Sequence, residues 1–316
     1  MLIRNLCTIA LTAVVLTLAG CSGGVLDPKG QVGVEEKWLI IICTLLMLIV
    51  VIPVIVLTLY FAWRYRASRD FEVYTPKWAH SVKIEAAVWS IPVLIIIVLG
   101  VITWKSTHAL DPYKPLEGKG EHMTVEVVSL NWKWLFIYPE QGIATVNELV
   151  FPADKPVAFK ITSEGTMNSF FIPQLGSQIY SMAGMETKLH LIADEPGTYE
   201  GFSANYSGKG FTGMSFDAIA TPTNEDFDAW VEKVKREGGE LDSASYKALT
   251  EPTEFHPVEY FADVKDGLFH DIIMKFMKDH GEMNYYSKPK NAVQGQHEAA
   301  HKKAQHAGAH EAEAEE

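Results

Sequence analysis

The sequence predicts a membrane protein in which a two-helix transmembrane hairpin is followed by an all-β domain and a C-terminal helical extension. Three observations carry this prediction. The run from Trp38 to Trp63 contains no charged side chain, which is enough for the ~20 apolar residues that a membrane helix needs, and a second apolar run ends at Trp104. From Thr124 onward the pattern changes to short alternating runs separated by Gly, Pro, Asn and Asp, the signature of successive strands. Beyond Thr223 the apolar residues recur at helical spacing.

Composition narrows the function classes. The 316 residues include 39 acidic and 27 basic side chains, a net charge of -12. That balance excludes a nucleic-acid partner, which would require a basic patch to neutralise phosphate. There is no internal repeat, and the length suits a membrane part plus one or two soluble domains. The three cysteines, Cys7, Cys21 and Cys43, all precede the β region, which therefore has neither a disulfide nor a thiolate metal centre.

Taken in order, residues 1–20 have the layout of a bacterial export signal, with Arg4 before the apolar run Leu6 to Leu18. Leu18-Ala-Gly-Cys21 resembles a lipobox, which makes Cys21 the expected lipidation site; an ordinary signal or a short first membrane helix is the alternative. Residues 21–37 form a periplasmic tether, flexible from Ser22 to Gly33. The first span covers 38–63, with Trp38, Tyr60 and Trp63 as interfacial anchors and Pro53 as a kink that packed helices tolerate. The second covers 85–104 and contains Pro92. Between them, in residues 64–84, Arg64, Arg66, Arg69, Lys77 and Lys83 outweigh Asp70 and Glu72 and place this loop in the cytoplasm. The N-terminus and everything after Trp104 then belong to the periplasm, on a two-pass protein of the bacterial inner membrane. Neither span contains a histidine. Haem between membrane helices usually takes imidazole ligands, so any haem belongs to a partner.

Glu85 opens the second span. A carboxylate near the bilayer is costly unless paired, hydrated or used, yet acids also suit the positive end of a helix dipole. Chemistry alone leaves both readings open.

Residues 105–122 form a linker punctuated by Pro112, Pro115, Gly118 and Gly120. The β domain follows over 123–222, with strands expected at 124–130, 132–138, 147–151, 156–162, 170–172, 187–192, 197–205 and 214–220. This spacing fits a sandwich or barrel, and the pattern does not separate a cupredoxin from an immunoglobulin-like sandwich. Residues 223–284 read as the helical extension: Phe227, Trp230, Val231 and Val234 share one face behind an acidic first turn, a shorter helix starts near Asp242, and Val258 to Phe261 lead into an apolar-faced helix from Leu268. The tail 285–316 is rich in His, Ala and Glu and too poor in apolar side chains to build a core. His297, His301, His306 and His310 could gather a metal only if the tail became helical.

One stretch points to function. Ser203-Ala-Asn-Tyr-Ser207-Gly-Lys-Gly-Phe211-Thr-Gly-Met214 is a glycine-punctuated turn between two strands, and its frame resembles the C-x-x-x-C-G-x-x-H-x-x-M copper loop of subunit II of haem-copper respiratory oxidases. Serine stands at both cysteine positions and phenylalanine at the histidine. The family's other histidine, in H-S-F-x-x-P, falls on Asn168 of Asn168-Ser-Phe-Phe-Ile-Pro173, and its loop glutamate, which helps to hold magnesium, falls on Asn205. Bridging copper needs thiolate and imidazole donors, which serine and phenylalanine do not supply, and Met214 alone cannot hold it. A member with an emptied copper loop resembles subunit II of a cytochrome bo-type quinol oxidase. The resemblance spans nearly the whole chain.

That resemblance implies a cupredoxin-like Greek-key barrel, no cofactor and no active site on this chain, and haems and a copper on the partner subunit I. The chain would be a non-catalytic subunit of a proton-pumping ubiquinol oxidase. Its partners would be subunit I, the other small membrane subunits and membrane lipids, with quinol acting on the whole complex. Glu85-x-x-x-Trp89-x-x-Pro92 matches the second helix of the family, where the glutamate lies at the mouth of a proton channel. Trp132 to Tyr138 match the aromatic stretch beside the electron entrance of copper-bearing relatives, though aromatics packed on a core explain them better. Two competing readings are a copper-bearing cytochrome c oxidase subunit II and a metal-delivery lipoprotein using Met182, Met185, Met214 and the tail histidines.

Overall fold

The computed structural model describes residues 24–66, 79–118 and 120–279. The export signal, Cys21, the loop residues Arg69, Asp70, Glu72 and Lys77, and the histidine-rich tail lie outside the described residues.

Two long helices come first, α1 (Gln31–Arg64) and α2 (Val82–Ala109), with Pro53 and Pro92 inside them. Their side chains point outward almost everywhere: only Val32 and Gly33 are buried in α1, and none in α2. Both helices run past the expected spans. The first begins seven residues before Trp38 because its opening turn docks on the β domain, where Gly33 N–H donates to Leu175 O at 3.1 Å. The segment expected as a flexible tether is instead pinned. Lys29 N–H donates to Gln174 O at 2.7 Å, and Asp194 N–H donates to Lys29 O at 2.8 Å. Gly30 is required there, since a Cβ would stand 2.3 Å from Ile192 O. Backbone groups that would otherwise need water find partners across this seam.

Twelve strands are described. β1 (Met123–Ser129), β2 (Trp134–Tyr138), β3 (Ile143–Val146), β5 (Val157–Ser163), β8 (Thr187–Leu191), β11 (Gly239–Leu241) and β12 (Glu259–Val264) form one sheet in the order β11-β12-β3-β2-β1-β5-β8. β4 (Glu148–Pro152), β6 (Asn168–Phe171), β7 (Ile179–Ser181), β9 (Gly197–Ser203) and β10 (Ser215–Thr221) form the other, ordered β4-β10-β9-β6-β7. The pairs β1–β5 and β4–β10 are parallel, so the chain crosses between sheets as well as folding back on itself.

Aromatic side chains fill the space between the sheets. Phe170 stacks on Phe216 at 5.3 Å and meets Trp134 at 5.4 Å and Phe159 at 5.3 Å. Tyr138 is fully buried and keeps its hydroxyl satisfied by donating to Val150 O at 3.1 Å while accepting from Val150 N–H at 2.9 Å. Burial pushes this phenol's pKa well above the ordinary tyrosine range.

The extension comprises α3 (Asn224–Glu237), α4 (Ser243–Thr250) and α5 (Leu268–Asp279) together with β11 and β12. It is therefore not wholly helical, as the sequence suggested. Tyr260 and Phe261 pair with Thr145 and Ala144 of β3, so the extension widens the large sheet and covers an edge that would otherwise stay open. Its outer face is buried by Leu241, Tyr246, Leu249, Phe261 and Ile272 against Leu135 and Ile137. Caps fix two of the helices: Thr223 Oγ1 accepts from Asp226 N–H at 3.1 Å, and Asp242 Oδ1 accepts from Ala244 and Ser245 N–H.

Candidate functional site

Strands β6, β9 and β10 and the loop between the last two bring Asn168, Ser203, Asn205, Ser207, Phe211 and Met214, the six positions whose frame resembles a copper loop, to one end of the sandwich. Asn168 and Ser203 touch: Ser203 Oγ donates to Asn168 Oδ1 at 3.0 Å, and both residues are buried. Asn168 Nδ2 donates to Thr166 O at 3.0 Å, and Asn205 Nδ2 donates to Met167 O at 3.0 Å. The two amides thus tie the loop to the turn before β6. Ser207 Oγ is buried and has no hydrogen-bond partner, and Phe211 packs edge-on against Tyr206 at 5.5 Å. Met214 is 1% exposed and belongs to the aromatic core.

This donor set does not suit a bridging copper. A serine hydroxyl stays protonated near neutral pH, a phenyl ring has no lone pair, and the Asn168 carbonyl already accepts from Ser203. Among the described residues, no group of three or more His, Cys, Asp or Glu converges to hold a metal.

Trp132 does not continue β2, contrary to the expected strand from 132. It sits in the β1–β2 turn with φ 66, because its ring lies along the loop instead of in the sheet. Its Nε1 donates to Ser207 O at 3.0 Å. Gly210 is needed beneath it, since a Cβ there would reach within 2.4 Å of the indole. Trp134, Phe136 and Tyr138 point into the core, as packing aromatics should.

Three residues at this end were not singled out from the sequence. Lys133 is 1% exposed and donates to Glu251 O at 2.9 Å and Thr253 Oγ1 at 2.5 Å. Burial lowers the pKa of its ammonium. Asn147, at φ 57, accepts Trp134 N–H on Oδ1 at 2.8 Å and donates from Nδ2 to His256 O at 2.8 Å. Phe255, at φ 51, is exposed over Gly213. The available signal was a lysine between two tryptophans, a charge in an otherwise apolar run.

At the far end of the chain's membrane part, Glu85 lies in the first turn of α2, its N–H bonded to Ser81 O at 2.9 Å. Its Oε1 is 3.9 Å from His80 Nδ1, and both side chains are more than half exposed.

Comparison with known proteins adds a second line of evidence. The family described as cytochrome c oxidase subunit II, periplasmic domain, matches residues 139–221, and the COX aromatic rich motif matches residues 235–280. Cytochrome bo(3) ubiquinol oxidase subunit 2 of Pseudomonas putida is 60% identical over 261 residues, covering 83% of this chain and 83% of that protein. The protein of the same name from Pseudomonas aeruginosa is 57% identical over 285 residues, covering 90% of this chain and 84% of its own. Ubiquinol oxidase subunit 2 of Acetobacter aceti is 57% identical over 263 residues, covering 83% of this chain and 85% of its own. The part matched by the periplasmic-domain family, residues 139–221, runs from the turn after β2 to the end of β10 of the sandwich.

Proposed function

This chain belongs to the quinol oxidase subunit 2 family of the haem-copper oxidases, and on that footing we propose that it serves its complex without a redox centre of its own. It would stabilise subunit I and the other membrane subunits and shape the periplasmic face of the assembly. Haems and a copper would sit in subunit I, where quinol electrons reduce oxygen to water. The single observation that supports this reading is the donor set at the loop: Ser203, Ser207, Phe211 and Asn168 stand where thiolates and imidazoles would be needed.

Within the same reading, the protein is anchored in the bacterial inner membrane with its β domain in the periplasm and a lipid on Cys21. Glu85 takes part in proton uptake from the cytoplasm; its place in the first turn of α2, 3.9 Å from His80 Nδ1, supports this reading. No quinol-contacting residue is assigned to this chain.

The test is to purify the complex from native membranes through a tag on this chain, then record haem spectra, copper content and quinol-driven oxygen uptake. Haem-bearing partners and quinol oxidation are expected, without near-infrared absorption from a copper pair. A tagged chain that arrives alone, or with two coppers in its loop, overturns the proposal. In the Glu85→Ala complex, turnover should fall while haem content holds, and unchanged turnover removes the role of Glu85.

A further inference from the structure

Residues 250–258 run from the last residue of α4 to the residue before β12 and lie at the surface over the loop end of the sandwich. From below, Asn131 Nδ2 donates to Thr250 O at 2.7 Å, and Lys133 and Asn147 donate to the carbonyls of Glu251 and His256. From the side, Glu254 pairs with Lys209 at 2.7 Å. The ring of Phe255 lies so close to Gly213 that a Cβ on the glycine would come within 2.8 Å of it. Residues 251–255 are exposed while Lys133 beneath them is 1% exposed, so the segment that accepts its hydrogen bonds also covers it.

The neighbouring 203–214 loop is anchored at both ends but irregular in between. Residues 204–210 form no helix or strand, and Gly208, Gly210 and Gly213 make the chain there expensive to order. Its fixings apart from the 250–258 segment are the backbone hydrogen bonds from Ser203 N–H to Met214 O and from Ala204 N–H to Ser169 O, the Trp132 to Ser207 hydrogen bond, the Tyr206–Phe211 ring contact, the short turn of 3-10 helix at Phe211–Gly213, the side-chain ties of Ser203 and Asn205 and the buried Met214. Its outer half meets the rest of the protein at Gly208 and Gly210, which lie against the Trp132 indole of the β1–β2 turn, and at Lys209 and Gly213, whose contacts both lead to the 250–258 segment.

We propose that residues 250–258 act as a strap that fixes the 203–214 loop to the β1–β2 turn. The strap does with hydrogen bonds, one ion pair and one ring contact what a bridging metal does in a loop that carries one. This rests on the reading above that the loop holds no copper. The strap comes from the C-terminal extension, so the extension keeps the shape of the emptied site as well as widening the sheet.

Hydrogen exchange read by mass spectrometry on the intact, purified oxidase tests this, with Lys133→Met and Phe255→Ala beside the parent. Phe255 is 71% exposed, so its variant leaves the core untouched and carries the test even where Lys133→Met does not assemble. Peptides over 203–214 should exchange about tenfold faster or more in Phe255→Ala, with β1 and β5 unchanged. Parent-like exchange over 203–214 overturns the strap, and so does a rise shared equally by β1 and β5, which would make the segment part of the global fold. Copper analysis of the same parent sample separates the two ideas, since bound copper in the loop refutes the emptied-site reading whatever the exchange rates do.

Discussion

Leu57 in α1 is 48% exposed and Phe170 in β6 is 0% exposed, although each lies in a strongly apolar stretch of its own region. The hairpin turns nearly all of its apolar surface outward, so within this chain it has no core, and its backbone is satisfied by its own helical hydrogen bonds. The sandwich turns its apolar surface inward and adds a second layer where the extension covers the large sheet. The difference teaches where stability comes from. The β domain carries its own in the contacts between its layers, while the hairpin, with its apolar surface exposed, has to find its stabilisation outside this chain.

The sharpest way to break this contrast is to cut one side chain from each region. Phe170→Ala removes the ring on which Trp134, Phe159 and Phe216 converge, and should cost the β domain about 3–5 kcal/mol in chemical denaturation. Leu57→Ala should leave that transition where it was. An equal shift from both would mean that the hairpin is part of the domain's core.

A charge should reverse the ranking. Val98→Asp, at the middle of α2, should cost roughly 2.5–3.5 kcal/mol of membrane insertion, seen as loss of the chain from carbonate-washed membranes, with the folded β domain unaffected. At the extension, Thr223→Ala deletes the cap of α3 and should cost about 1 kcal/mol, measured as a lower denaturation midpoint with the same slope.

The smallest effect concerns pH. Burial raises the pKa of the Glu126 carboxyl, Lys160 opposes the shift and Glu186 adds to it. A folded pKa above the unfolded value means that the folded state holds more protons between the two. Stability therefore falls as pH rises through that window, and the loss is complete above the folded pKa. Glu126→Gln should flatten the curve above the ordinary glutamate pKa of about 4.3 and raise the denaturation midpoint slightly once the wild-type carboxyl has ionised.

Local patterns made much of this legible. Charge-free runs marked both helices, and alternation marked β1, β5 and β10 almost to the residue, since both signals depend on side chains a few positions apart. The strands β3, β7 and β11, of three or four residues, were missed because they are too short to show alternation, and β12, in a stretch that read as helical, because its pairing with β3 joins residues more than a hundred apart. At the loop end, the sequence determined the chemistry. Ser203, Ser207, Phe211 and Asn168 supply neither thiolate nor imidazole, wherever the chain puts them. Only the tertiary structure decided that Lys133 would lie under the segment at 250–258, that Trp132 would turn out of its strand to brace Ser207, and that residues 24–33 would dock instead of swinging free. Donor identity is a property of one residue, whereas burial and bracing belong to pairs that meet only after the chain has folded.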